Sequence, residues 1–305
     1  MSERGVAIGV VFASSASARS GLARGAAGQN SQGNLLSSSD NTTRSGGYVG
    51  ASKLEHLRES LSERDWAVTW DVARLRLTTG MQLERLHFAD LAETSRAVVR
   101  RRVLGRLVKA RLLATLDRRI GGVRAGSSGL VYALGTAGKR LVSDGGRAAR
   151  PGLPGERHVR HVLAVGQLYV DLVELAREGK LTIDQFEAEP ASWWADGHGG
   201  RLKPDAHVLV ASGDYSDHWW IEVDLATEHG PVLKRKLMTY FDFYNQGQLG
   251  PGEIMPWVLV TVPDAKRYSE IDRLIHQLPL QAQELFTVAL HNDAARAIMR
   301  KLDQQ

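Results

Sequence analysis

Two apolar segments of this chain have the composition of β-strands, and both carry carboxylates near one end. Residues 202–210 read LKPDAHVLV and residues 219–224 read WWIEVD, with a short polar stretch between them. Such spacing is typical of an antiparallel hairpin. Adjacent antiparallel strands bring facing residues close together, so we expect Asp205 and Glu222 to be neighbours on one face of a sheet. The two segments therefore predict a β-sheet that carries two neighbouring acids.

The order of these residues nearly matches the PD…(D/E)xK pattern of metal-dependent nucleases. Pro204-Asp205 supplies the first part and Glu222 the second. The final lysine is missing, because Asp224 stands at its position. The sequence therefore leaves two readings open: a working nuclease, or a nuclease fold without its chemistry.

A metal site here would use carboxylate or imidazole ligands, since the chain has no cysteine. Asp205 and Glu222 are the predicted ligands for Mg²⁺ or Mn²⁺, with Glu174 on a preceding helix as a third carboxylate. In an active enzyme Asp205, Glu222, Asp224 and Lys236 form the catalytic set. Asp224 is then an added ligand, and Lys236 or its neighbour Lys234 supplies the missing cation. In the inactive reading, Asp224 pairs with an arginine or lysine and no cofactor is needed.

Charge divides the chain into two contrasting parts. Residues 71–150 hold 17 Lys and Arg against 6 Asp and Glu, whereas residues 151–305 hold 15 against 22. Lys and Arg neutralise phosphates, and clustered carboxylates suit metal ions. We therefore expect the first part to contact a polyanion and the second to do something else.

Composition also suggests domain boundaries. Residues 1–50 are largely rich in Ser, Gly and Ala and are predicted to be a flexible tail. A Gly- and Pro-rich stretch at residues 145–155 is predicted to be a linker between domains at residues 51–144 and 156–305.

The first predicted domain has the element order of a winged helix-turn-helix. Helical periodicity follows Ser62 and Thr79, and a strongly basic helix runs from residue 96 to about 109. Two strands, at 112–116 and 130–134, then flank a basic, glycine-rich loop. In that fold the third helix enters the major groove of DNA and the loop forms a wing along the backbone.

The basic side chains of this domain are the predicted contacts to double-stranded DNA. The candidates are Arg96, Arg100 and Arg101 on the third helix and Arg118, Arg119 and Arg124 on the wing. The alternative is a solvated basic helix on a protein-binding adaptor.

The second predicted domain has the order of a restriction-endonuclease-like fold. A long helix from residue 157 precedes strands at 182–188, 204–210 and 219–225. A helix at 232–244 and a strand at 257–262 complete the αβββαβ order, followed by one more helix and strand. The fold class is therefore mixed α/β.

From about Trp66 onward the chain resembles the replication-relaxation family of plasmid and mobile-element proteins. The matching segments are SRAVVRRRVLGRLVKARLL, GLVYALGTAGKRLV, LKPDAHVLV, WWIEVDLATE and KLMTYFDFY. The resemblance implies a role in plasmid replication and DNA relaxation, with a DNA-binding winged helix and a nuclease-like second domain.

Other functions remain open at this stage. The acidic half could instead mediate dimerisation of a transcriptional regulator, and a homodimer is a candidate assembly. Tyr240 and Tyr244, one helical turn apart, resemble the nucleophile pair of some rolling-circle initiators, but the accompanying histidine pair on a strand is missing. Because Phe241 and Phe243 are interleaved with them, an aromatic packing surface is the expected role. His158 and His161 are expected to be solvated or hydrogen-bonded. Because apolar runs are too short for a membrane span, a cytoplasmic protein without a membrane partner is expected.

Overall fold

The computed structural model describes residues 49–116, 129–142 and 155–304. The predicted tail lies almost wholly outside these residues, as do the wing arginines Arg118, Arg119 and Arg124 and most of the predicted linker. The described residues belong to one compact unit. The predicted division into two domains stays a prediction.

The first part of the described chain is helical and ends in a small sheet. Its helices are α1 (Ala51–Ser60), α2 (Glu63–Leu75), α3 (Gly80–His87), α4 (Glu93–Lys109) and α5 (Thr136–Val142). Three short strands, β1 (Thr78–Thr79), β2 (Leu113–Leu116) and β3 (Val131–Leu134), form an antiparallel sheet with β3 in the middle. Strand β1 and helix α5 were not predicted from the sequence.

Capping explains where two of these helices begin. The Ser62 side chain accepts a hydrogen bond from the Asp65 backbone N–H, and the Asp65 carboxylate accepts from the Ser62 backbone. Thr79 and Gln82 make the same reciprocal pair at α3. Such capping boxes satisfy backbone donors that a helix start leaves unpaired.

A larger mixed sheet forms the second part. Helix α6 (Glu156–Arg177) precedes β4 (Thr182–Ala188), the hairpin β5 (Trp194–Ala195) and β6 (Arg201–Leu202), β7 (Ala206–Ser212) and β8 (Tyr215–Val223). Then follow α7 (Gly230–Asn245), β9 (Trp257–Val262), α8 (Ala265–Ile275), α9 (Leu280–Gln283), β10 (Phe286–Leu290) and α10 (Ala294–Leu302). The strand order β10-β9-β8-β7-β4 combines two parallel pairs at one end with two antiparallel pairs at the other. The mixed α/β class is confirmed.

Helices cover both faces of this sheet. On β8, Trp219 and Ile221 pack in a core with α6 and α10, whereas Trp220 packs in a second core with α7 and α8. Side chains alternate along a strand, so Glu222 lies on the same face as Trp220, toward α7. The alternation thus sets a carboxylate beneath helix α7.

The helical part packs directly against α6. Leu75 and Leu86 belong to the same apolar core as α6 residues. Arg85 pairs with Asp171 at 2.7 Å and with Glu174 at 2.5 Å, and the Gln82 amide donates to the Leu163 carbonyl at 2.9 Å. The two parts are therefore joined by apolar packing as well as by polar contacts.

None of the helices within the described ranges has both the length and the apolar character needed to cross a membrane.

Candidate functional site

Asp205 and Glu222 lie side by side at the end of the antiparallel pair β7–β8, as the sequence predicted. Ala206 faces Ile221 in the strand register, and one further step brings Asp205 opposite Glu222. The Asp205 Oδ2 atom accepts a hydrogen bond from the Val223 backbone N–H at 2.7 Å. Both side chains are buried. The backbone contact fixes one oxygen of Asp205 against the neighbouring strand.

Lys236 supplies a cation to this pair from helix α7. Its ammonium group pairs with Glu222 Oε2, and the Tyr240 hydroxyl, one turn further along, donates to Glu222 Oε1. Lys234 instead is exposed on α7. Of the two lysines proposed from the sequence, Lys236 is the one at the site.

Burial and charge set the protonation of this cluster. Burial raises the pKa of Glu222 to about 7, although the Lys236 charge opposes the shift. Burial lowers the pKa of Lys236, but the charges of Glu222 and Asp205 outweigh it and raise that pKa overall. Burial also raises the pKa of Tyr240 well above its usual range. Tyr240 is a buried donor to Glu222, which argues against a role as an exposed nucleophile.

His161 also belongs to the site, although it was expected only to be solvated or hydrogen-bonded. It extends from α6, and its Nε2 atom lies 3.0 Å from Asp205 Oδ1. The hydrogen bond to Asp205 raises the pKa of His161 against the opposing effect of burial. His158 Nε2 lies 3.1 Å from Arg76. Both histidines are hydrogen-bonded, as expected, but the sequence alone gave no sign of which acid His161 would meet.

Asp224 is turned toward helix α8. Arg267 Nε donates to Asp224 Oδ2 at 2.5 Å and Arg267 Nη2 donates to Oδ1 at 3.1 Å. Both side chains are buried, with exposed fractions of 6% for Arg267 and 5% for Asp224. The contact to Asp224 raises the pKa of Arg267 above its ordinary value. Asp224 was expected either to be an added metal ligand or to pair with an arginine or lysine. In the structure it pairs with an arginine.

The structure does not bring Glu174 to the site. Its carboxylate pairs with Arg85. Glu174 lies 13 residues beyond His161 on α6, which at ~1.5 Å per residue corresponds to roughly 20 Å of helix. The expectation of a third carboxylate at this position is wrong because the helix carries it away from Asp205.

A cavity of about 480 Å³ opens beside the carboxylates. Helix α6 contributes His158 and His161 to its wall, α7 contributes Lys236, and β8 contributes Glu222. Glu228 and Thr227 from the β8–α7 loop complete one side. The acids therefore line a space that small molecules and water can enter.

As they are arranged here, the carboxylates of Asp205, Glu222 and Asp224 do not fit a divalent metal ion. Both oxygens of Asp205, of Glu222 and of Asp224 already contact a protein donor. Within the described ranges no group of three or more His, Asp or Glu side chains is placed to hold a metal ion. Mg²⁺ and Mn²⁺ need carboxylate oxygens that can turn toward the ion.

The basic helix α4 uses some of its cations within the fold and presents others to solvent. Arg96 donates to the Leu91 carbonyl at 3.0 Å, and Arg100 is buried against Glu84 at 2.8 Å. Arg106 pairs with Asp65 at 2.7 Å. The side chains of Arg101, Arg102 and Lys109 are exposed. Arg100 is thus not presented for DNA contact, because the face it shares with Arg96 turns toward the loop and α3.

Fold and site together define a mixed α/β protein with a basic surface helix and a buried cluster of acids and cations. A family model described as replication-relaxation matches residues 70–255, and the chain belongs to that family. Neither a curated protein nor a solved structure matches the chain.

Proposed function

We propose that this chain is a DNA-binding protein of plasmid or mobile-element replication or DNA relaxation. In this proposal a winged helix formed by α2, α3, α4 and the sheet β1-β3-β2 binds duplex DNA. The nuclease-like sheet acts as a scaffold without cleavage chemistry. Membership of the replication-relaxation family supports the process.

The exposed face of α4 is the observation that carries DNA binding. The helix has six cationic side chains and one acidic side chain, Glu93. Arg101, Arg102 and Lys109 are exposed together with the small residues Ala97 and Gly105. Small side chains let a helix approach the floor of a groove, and cations placed beside them meet phosphates. Such a surface suits a polyanion better than a protein partner.

The element order supports the same assignment. Helices α2, α3 and α4 are followed by an antiparallel strand pair, β2 and β3, whose connection contains the wing arginines. In winged-helix proteins the third helix and this connection share the DNA surface. Arg101 is the member of the predicted helix trio that remains a DNA contact in the proposal.

The engaged carboxylates favour a non-catalytic sheet domain. Metal-dependent cleavage needs an ion that activates water and stabilises charge on the phosphate. Here the oxygens that would hold the ion contact His161, Lys236, Tyr240, Arg267 and the strand backbone instead.

DNA binding is tested by fluorescence anisotropy with a labelled duplex at several salt concentrations. The double variant Arg101→Ala/Arg102→Ala is expected to make the negative slope of log K against log salt shallower by about 1.8. It is also expected to weaken binding roughly 60-fold near 0.1 M salt. The matched control Lys266→Ala/Arg273→Ala removes two exposed charges from α8. If both double variants bind like the unaltered chain, α4 is not the DNA surface.

A second candidate function, a metal-dependent nickase, is favoured by the position of Lys236. That lysine stands beside Glu222 and replaces the cation missing from the motif. Supercoiled plasmid incubated with Mg²⁺ or Mn²⁺ tests this. Nicking that disappears in Asp205→Ala and in Glu222→Ala would establish the nickase and overturn the scaffold reading. DNA binding without nicking supports the scaffold.

A dimerising transcriptional regulator has less support. That reading expects Asp205 and Glu222 to diverge, whereas both line one cavity.

A further inference from the structure

Lys236 is held where several negative charges meet. Its ammonium group pairs with Glu222, and the charges of Asp205 and Glu228 also act on it. The Lys236 side chain is 34% exposed, whereas that of Glu222 is 4% exposed. The lysine thus reaches from the surface down to a carboxylate that water barely contacts.

A buried carboxylate beside a second one must either take up a proton or be offset by a positive charge. Two carboxylates in a poorly solvated site repel each other, and each loses hydration when it is buried. A divalent ion commonly supplies the compensating charge in such sites. In this chain the tethered ammonium group of Lys236 performs that electrostatic role.

We propose that the ammonium group of Lys236 occupies the place that a divalent cation would take between Glu222 and Asp205. The chain therefore carries a latent cation site with a built-in occupant. This inference rests on the non-catalytic function proposed above. It predicts that the intact protein works without a divalent metal and that removal of Lys236 opens the site to one.

The surroundings of the pair support a site for an ion rather than a simple ion pair. The cavity of about 480 Å³ has room for the water molecules that Mg²⁺ and Mn²⁺ retain. Glu222 Oε2 would be released by loss of Lys236, and Asp205 Oδ1 would be shared with His161. Manganese accepts both carboxylate and imidazole ligands. Asp224 would not take part, because Arg267 holds both of its oxygens.

Manganese binding to the full chain at pH 8 tests the proposal, with free Mn²⁺ measured by electron paramagnetic resonance. Lys236→Ala is expected to bind one Mn²⁺ about tenfold or more tightly than the unaltered chain. The matched control Lys234→Ala removes the same charge from the exposed side of α7 and is expected to gain nothing. Lys236→Ala/Glu222→Gln is expected to lose the gain, because the released carboxylate is gone.

A second variant, with a neutral side chain at position 236, keeps the test valid if Lys236→Ala does not fold. Lys236→Gln retains an amide that can donate to Glu222, and it is expected to gain Mn²⁺ binding as well. For each variant, a rise in melting temperature on Mn²⁺ addition reports binding to the folded state.

Two outcomes overturn the inference. One is an unaltered chain that binds Mn²⁺ as tightly as Lys236→Ala; the other is folded Lys236→Ala and Lys236→Gln with no gain. If the unaltered chain binds Mn²⁺ but does not nick plasmid, only this inference fails and the DNA-binding function stands. If it binds Mn²⁺ and nicks plasmid, this inference and the non-catalytic role proposed for the sheet both fail.

Discussion

Replacing Arg267 with alanine is expected to be among the most destabilising changes around the larger sheet. The guanidinium makes two hydrogen bonds to Asp224 and a third to the Glu228 carbonyl at 2.8 Å. Its loss leaves the Asp224 carboxylate buried without a cation. Breaking a buried pair in this way costs about 3–5 kcal/mol of unfolding free energy.

The reverse change should cost less. Asp224→Ala leaves Arg267 with Glu270 at 3.0 Å and with the Glu228 carbonyl, so the loss is expected to be about 2–3 kcal/mol. Asp224→Ala/Arg267→Ala leaves no charge unpaired between these two positions. Its cost is expected to fall short of the sum of the single changes by about 1.5–3 kcal/mol.

Urea unfolding followed by tryptophan fluorescence measures these differences, since Trp219 and Trp220 are buried in the sheet. Arg273→Ala, at an exposed position on the same helix, should stay within about 0.5 kcal/mol of the unaltered chain. If Arg267→Ala lowers the free energy of unfolding by less than ~1 kcal/mol, the reasoning is refuted, because breaking a pair this buried should destabilise the fold by more. Strict additivity in the double variant would refute it as well.

Two further predictions concern the same cluster. Because burial raises the pKa of Glu222 from 4.5 to about 7, this group stabilises the fold at low pH, and its contribution is lost as pH rises through 7. Glu222→Gln should therefore remove a decline of up to about 3 kcal/mol between pH 4.5 and 8, measured by urea unfolding across that range; an unchanged pH profile would contradict the assignment. Asp224→Lys restores the lysine of the nuclease pattern but sets a second cation against buried Arg267. It should destabilise the chain by about 3 kcal/mol or more without adding nicking activity; a stable variant that nicks plasmid in Mn²⁺ would show that the site needs only this lysine.

Local patterns predicted much of the fold. Apolar, strand-like composition indicated β7 and β8, and the polar stretch between them indicated their antiparallel pairing, so Asp205 and Glu222 were expected to be neighbours. Ser62 and Thr79 were expected at helix starts because Ser and Thr are capping residues and helical periodicity follows each of them. Strand β1 escaped notice because two residues carry no periodic signal. The hairpin β5–β6 is equally short.

The partners of the site residues could not be read from local spacing. His161 precedes Asp205 by 44 residues, and Arg267 follows Asp224 by 43. Such contacts depend on which face of α6 and α8 packs against the sheet. Arg96 and Arg100 are four residues apart and so lie on one side of α4, but this spacing does not show that the side they share turns inward. Lys236 was accessible to sequence reasoning because α7 follows β8 after a short loop and must pack back on the same sheet.

The aspartate at position 224, where the nuclease pattern has a lysine, can be explained when three side chains from the helices are considered together. His161 from α6, Lys236 from α7 and Arg267 from α8 each pair with a different carboxylate near the ends of β7 and β8. A lysine in place of Asp224 would face Arg267 and take away its buried acid partner, leaving the more exposed Glu270. With aspartate there, each helix is fixed to the sheet by its own contact with a carboxylate. Acids that match a nuclease pattern thus hold three helices on the sheet, and Lys236 balances the acid that a metal ion would otherwise neutralise.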